Sequence, residues 1–345
     1  MTRRALLAAA FAPAGIRAAL IESPEGDHLT HFRRLASRDG VAAFQSASVQ
    51  GASKMMAEFR PTVVAVSTEP LRMPEAVEIA LRGGAHVIVE KPGCTKLDQF
   101  ERMAKLAAET NRNLMLAMAT RLDPAAVQAR HLVHSGWIGS LYGVTMRWVA
   151  DQTRLRNPAH QQSWKVSKER GGGGKLIFHG IHFLDLVRYI TDRPITRVSA
   201  FCRNVGGTPG DVEDAAVVSL EFQGGALGTL NTGYYLDRGY DNEIRLWGSH
   251  GWLRFNPHAE ASLESYSTHP QAPRGVQQFR PPKQSAYDLM FQSAVDARQG
   301  KRPWFISTQD SLDVLRVVFA SYRSAETGRA QNISRINALP PVRTL

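Results

Sequence analysis

The chain has 345 residues, 43% hydrophobic and 21% charged, an ordinary globular balance on a length that suits two domains. No apolar run reaches the roughly 18 residues that span a bilayer, and Cys94 and Cys202 lie far apart without C-x-x-C spacing, so no membrane, zinc site or disulfide framework is expected, and no metal. The formal net charge is +11, but the densest basic patches (Arg33-Arg34, Lys165 to Arg170) are short and lack interleaved aromatics, which favours a solvated surface or attraction of an anionic cofactor over nucleic-acid binding.

The first half alternates short apolar runs with helical patterns. Ile16 to Ile21 reads as a strand, Asp27 to Ser37 as a helix with Leu29, Phe32, Leu35 and Ala36 on one face, Val41 to Phe44 as a weak strand and Ala52 to Phe59 as a helix. Thr62 to Ser67 is a continuous apolar run, the signature of a strand buried on both faces of a parallel sheet. Pro74 to Arg82 predicts a helix ended by Gly83-Gly84, Ala85 to Val89 another buried strand, Leu97 to Thr110 a helix and Asn113 to Ala119 a further strand. This alternation argues for a doubly wound parallel sheet over residues 1–122.

From residue 123 onward the rhythm changes. Pro124 to Ser135 reads as a helix, and strand-like runs follow at Leu141 to Ala150, Thr196 to Asn204, Ala215 to Phe222, Ala226 to Tyr235, Asn242 to Trp247 and Trp252 to Asn256. Gln223-Gly224-Gly225 and Gly248-Ser249-His250-Gly251 have hairpin-turn composition. Helices are predicted at Gly180 to Ile190, Ala286 to Gln299 and Gln309 to Thr327, and Pro270 to Pro282 as a Pro/Gln/Arg-rich loop. Residues 123–345 therefore read as an α+β domain with a mostly antiparallel open sheet.

Two motifs carry chemistry. In AHVIVEKPG, residues 85–93, a buried strand ends in Glu90-Lys91-Pro92, and ligands of open α/β sheets sit at such carboxyl ends. A lysine there can hydrogen-bond a substrate hydroxyl and favour its deprotonation. It can equally be a surface lysine paired with Glu90. In GGGGKLIFHGIHFLDLVRYI, residues 171–190, a close-approach glycine run leads to a helix bearing His182, with Asp185 one turn on. An imidazole can take the proton that an alcohol loses as its carbon gives up hydride.

Together these segments resemble the Gfo/Idh/MocA oxidoreductase family. Thr68 to Pro92 resembles its strand–helix–strand–EKP block, Asn113 to Pro124 its sixth strand and crossover, and Gly172 to Asp185 its Gly-Gly…Gly-x-His-x-x-Asp helix. Val212 to Gly251 resembles its second-domain sheet and Tyr322 to Gly328 its closing helix. The resemblance implies a Rossmann domain binding NAD or NADP, a sugar-like small-molecule substrate, and a homo-oligomer formed through the second-domain sheet. By position, it makes Lys91 and His182 the catalytic pair. It also makes Glu22, Ser67, Thr68, Glu90, Lys91 and Arg121 cofactor neighbours, and Trp164, Lys165, His179 and Asp185 substrate-side residues. The activity implied is hydride transfer between nicotinamide and a secondary alcohol of a sugar, cyclitol or derivative. The alternatives are a non-catalytic or weakly cofactor-binding homologue, or redox-neutral glycoside processing with tightly held NAD.

The departures are specific. Phe178 stands four residues before His182, where an Asp is usual, and His179 either substitutes for it or is a packed helix histidine. Ala119 replaces an Asn and Met73 a His. No G-x-G-x-x-G lies near the N-terminus, which implies weakened dinucleotide binding. Two readings of that region are open. In one, Thr2 to Pro13 is the first Rossmann helix and Ile16 to Ile21 the second strand. The first strand is then missing, leaving a gap in the sheet, and Glu22 meets the ribose hydroxyls and favours NAD. In the other, residues 1–15 are a twin-arginine export signal built on Arg3-Arg4, and Ile16 to Ile21 is the first strand followed by a glycine-poor loop, Glu22 to His28. The first reading makes the protein cytoplasmic, the second exported.

Overall fold

A computed structural model describes residues 15–282 and 284–333. The apolar runs of the first half assemble as a five-stranded parallel sheet. Its strands are β1 (Ile16–Glu22), β2 (Val41–Ala47), β3 (Val63–Ser67), β4 (His86–Val89) and β5 (Leu114–Leu116), in the order β2-β1-β3-β4-β5. Helices α1 (Leu29–Phe32), α2 (Val49–Phe59), α3 (Met73–Arg82) and α4 (Leu97–Glu109) connect them. Ala18 to Ile21 and Val63 to Val66 are fully buried, as strands covered on both faces must be.

β1 pairs directly with both β2 and β3, Leu20 lying opposite Ala65 and Glu22 opposite Ser67. The gap expected beside Ile16 to Ile21 is therefore corrected: the sheet is continuous across β1. The helix expected over Thr2 to Pro13 lies outside the described residues, as does the export signal apart from Gly15.

α5 (Pro124–His134), capped by the Asp123 carboxylate on Ala125 N at 2.8 Å, leads into the second sheet. Its strands are β6 (Leu141–Asp151), then, beyond α6 (Ile181–Thr191), β7 (Ile195–Arg203), β8 (Ala215–Phe222), β9 (Leu227–Leu236), β10 (Tyr240–Gly248), β11 (Gly251–Phe255), β12 (Leu263–Ser267) and β13 (Gln277–Phe279). With a short β14 (Gln331–Asn332) the order is β13-β12-β11-β10-β6-β9-β8-β7-β14, antiparallel except where β6 and β9 run parallel. β12 and β13 extend the edge that the sequence leaves without strands, and β13 falls inside the expected Pro-rich loop.

The last two helices, α7 (Ala286–Arg298) and α8 (Thr308–Thr327), come after the second sheet yet return to the first. β5 is an edge strand, and α8 satisfies its outward amides: Leu114 N donates to Thr308 Oγ1 at 2.9 Å and Leu116 N to Ser311 Oγ at 3.0 Å. Farther along α8, Ser324 Oγ accepts from Ala200 N of β7 at 3.0 Å. One helix thus ties both sheets together around the cleft between them.

Candidate active site

The glycine run places the helix histidines. A side chain on Gly174 would start 1.9 Å from the Glu213 carbonyl oxygen, so only glycine fits. The Glu213 carboxylate accepts from Gly174 N and Leu176 N, both at 2.9 Å, and from the Tyr322 hydroxyl at 2.8 Å. The chain then makes one wide π-type turn, Leu176–Gly180, before α6 proper; such turns concentrate at functional sites.

Phe178, His179 and His182 all reach one cavity of about 420 Å³ at the carboxyl ends of the parallel strands, whose wall also includes Lys91, Ala117, Thr120, Trp148 and Tyr287. The His182 ring stacks on Trp148, with centroids 5.2 Å apart at 25°. Nδ1 of His179 and of His182 has no hydrogen-bond partner. Burial, reinforced by Lys91 and His28, holds His182 well below the ordinary histidine value. Burial, reinforced by Lys175, Lys91 and Arg154, does the same to His179. Both imidazoles are neutral at pH 7 and free to accept a proton.

Lys91 is 4% exposed. Its Nζ lies 3.6 Å from Asp27 Oδ2, 3.8 Å from Glu90 Oε1 and 5.5 Å from the centroid of the Phe178 ring. Glu90 is fully buried and meets His28 Nδ1 at 3.3 Å and the Tyr287 hydroxyl at 3.5 Å. Burial works against ionisation of Asp27, but the combined pull of Lys91 and Lys165 outweighs it and holds the carboxyl at about 2. The lysine of the EKP motif therefore sits between two carboxylates and an aromatic face.

The other expected site residues are distributed differently. Glu22 ends β1 and pairs with Arg33 at 2.9 Å. Ser67 and Thr68 are fully buried; Ser67 Oγ donates to Asp27 O at 2.6 Å and its carbonyl accepts from Ser23 N at 3.2 Å. The loop itself thus covers the strand end expected to border the cofactor. Arg121 makes two hydrogen bonds to Asp185, at 2.8 and 2.7 Å, with both side chains buried. This ion pair joins the crossover to α6, and neither partner lines the cavity. Trp164 Nε1 donates to Glu25 O at 2.8 Å and Lys165 Nζ meets Asp27 Oδ1 at 2.6 Å. These two residues clamp the loop instead of facing the substrate. His179, by contrast, lines the cavity as expected.

The same contacts test the dinucleotide's phosphate seat. In the family's manner, a glycine turn and a helix N-terminus would cradle the pyrophosphate. Here α1 is four residues long and has no side-chain cap. A Cβ on Gly26 would lie 2.2 Å from Ser67 O, and the Asp27 carboxylate brings negative charge to the same loop. The seat as folded does not fit a pyrophosphate, whereas the cavity beside Lys91 and His182 is formed.

A parallel sheet, an open mixed sheet and a lysine–histidine cavity between them define a dehydrogenase-type oxidoreductase. Residues 25–118 match the oxidoreductase family's NAD-binding Rossmann fold and residues 126–254 the GFO/IDH/MocA C-terminal domain. The chain belongs to the Gfo/Idh/MocA family, whose Rossmann domain binds NAD. It is 26% identical over 293 residues to D-glucoside 3-dehydrogenase of Escherichia coli, covering 79% of this chain and 80% of that one. It is 25% identical over 269 residues to myo-inositol 2-dehydrogenase of Thermotoga maritima, covering 76% and 77%. Among solved structures, an inositol dehydrogenase homologue from Azotobacter vinelandii complexed with NAD+ superposes with a TM-score of 0.80 at 18% identity, over 92% of this chain and 97% of that one. These relatives are oxidoreductases, including NAD(P)-dependent sugar and cyclitol dehydrogenases.

Asp27, Lys175, Arg154 and Tyr287 escape the sequence reading. Lys175 leaves a signal, a lone charge between glycines and LIF. Asp27 becomes visible only once its loop folds back onto Ser67 and Lys91.

Proposed function

We propose that the protein interconverts a secondary alcohol and a ketone on a sugar, cyclitol or derivative. The carrying observation is the convergence of Lys91 and neutral, unpartnered His182 on one cavity. Lys91 Nζ hydrogen-bonds the reacting hydroxyl, its position fixed by Asp27 and Glu90, and stabilises alkoxide charge as it develops. The His182 imidazole, held by stacking on Trp148, accepts the proton, and returns it in the reverse direction. Phe178 and Trp164, whose rings meet edge to face at 4.9 Å, exclude water behind the lysine. A nicotinamide dinucleotide, the family's cofactor, would supply the hydride chemistry where it is bound. Replacing Lys91 with Met while following reduced-nicotinamide absorbance over a sugar panel tests this reading: turnover should fall by about two to four orders of magnitude.

We also infer a homo-oligomer through the second sheet. Phe201, Val217, Leu227 and Trp247 are exposed and share one face by strand register, a patch suited to a second copy. Among the described residues no helix is long and apolar enough to cross a membrane. The free thiols of Cys94 and Cys202 suit a reducing, cytoplasmic compartment.

A further inference from the structure

The cavity's charge is one-sided. Besides Lys91, its wall carries Arg154, His179 and His258, and the carboxylate it includes, Asp123, is turned to cap α5. Arg154 reaches the Tyr240 hydroxyl and lies over that ring, 5.4 Å from its centroid, and has no carboxylate within ion-pair distance among the described residues. Immediately behind the wall is a second basic group without a counter-charge. Lys175, one turn before His179, is 1% exposed, and its Nζ has no hydrogen-bond partner. It rests over the Tyr234 ring at 4.1 Å, the ring that His179 also meets edge-on at 6.0 Å.

A buried amine with no acceptor is costly, and the cost is tolerated where a ligand supplies the missing partner. The strain shows in Lys175 itself, whose amine is pushed down to about 6 by burial and by Arg154. Arginine's planar fork suits an oxyanion better than a neutral hydroxyl.

We propose that the substrate is an anionic sugar, its carboxylate or phosphate held by Arg154 beside His179, with the uncompensated amine of Lys175 behind them. This rests on the reading that the cavity takes a sugar. It adds that one end of the cavity, built by the turn after β6 together with β10 and the glycine-run helix, selects for charge. The opposite end, at Lys91 and His182, handles the reacting hydroxyl.

The test is calorimetric titration of the full-length protein with glucose, glucuronate and glucose 6-phosphate at low salt. At least one of the two anionic sugars should bind about tenfold or more tighter than glucose, and whichever binds tighter identifies carboxylate or phosphate as the group recognised. Arg154→Met should abolish the preference, Lys175→Met should reduce it, and Arg154→Lys should restore part of it. Equal binding of all three sugars, or a preference that survives Arg154→Met, overturns the proposal. Because binding is read without turnover, the two readings fail separately. Oxidation of neutral sugars with no preference for anions leaves the dehydrogenase reading standing. Arg154-dependent anion binding without nicotinamide reduction does the reverse.

Discussion

Phe178 stands where a carboxylate would steady the helix histidine, and the carboxylate near Lys91 comes instead from Asp27, on another element. The aspartate neighbours the lysine rather than the imidazole, so His182 is left with burial and the Trp148 ring. An imidazole that stays neutral well below its ordinary value accepts protons without first losing one. The acid limb of kcat/KM should therefore lie below the 6.5 of an ordinary histidine, and His182→Asn should lower kcat by about two to four orders of magnitude; a limb at or above the ordinary value would contradict a buried neutral base. The same burial sets a pH dependence of stability. Unfolded His179 and His182 bind protons below 6.5, and the folded residues do not, so their contribution is complete above that pH and declines as pH falls through it. For Lys175 the window lies higher. Between about 6 and 10.5 the unfolded lysine holds a proton that the folded one lacks, so stability rises with pH across that range. Lys175→Met should flatten the slope and stabilise the protein near neutrality by about 1–3 kcal/mol, read from urea unfolding at two pH values inside the window.

At the scale of elements, the loop Glu22 to His28 matters most. It carries the Asp27 carboxylate, paired with Lys91 and Lys165, and its Glu25 carbonyl accepts from Trp164 Nε1. Asp27→Gly should raise NADH affinity by about tenfold, measured by fluorescence titration, since it removes a like charge from the phosphate position; unchanged affinity would mean that the dinucleotide docks elsewhere. α8 makes a separate prediction. Ser311→Ala leaves Leu116 N buried without an acceptor and should cost about 1–3 kcal/mol of stability. Much of this scale was legible in the sequence. TVVAVS and HVIV are long, apolar and β-branched, so β3 and β4 could be read directly. The helix expected over Asp27 to Ser37 was not, because it breaks into α1 and a 3₁₀ turn. Its start is fixed by contacts to Ser67, forty residues away, which periodicity does not encode. β13 was hidden because Gln277-Gln278-Phe279 has neither length nor alternation, and pairing with β12 is what makes it a strand. Lys91 and His182 were legible as motifs. The Arg121–Asp185 pair and the Lys175–Arg154 neighbourhood depend on tertiary approach and left no trace in local spacing.

For the whole molecule, α7 and α8 fold back on the first sheet, so the cleft is closed by chain from both ends of the sequence. The exposed row Phe201, Val217, Leu227 and Trp247 is the surface proposed for assembly. Leu227→Glu should shift the protein to a smaller species in light scattering coupled to size exclusion; a wild-type monomer would remove that surface's role. The most direct test of the central claim is the absorbance of reduced nicotinamide during incubation of the full chain with excess NAD and neutral and anionic sugars, wild type against Lys91→Met. We expect turnover of at least one sugar by the wild type and a loss of about a hundredfold or more in the variant. Equal rates in both proteins, or no reduced nicotinamide with any sugar, would contradict a dehydrogenase built on Lys91 and His182.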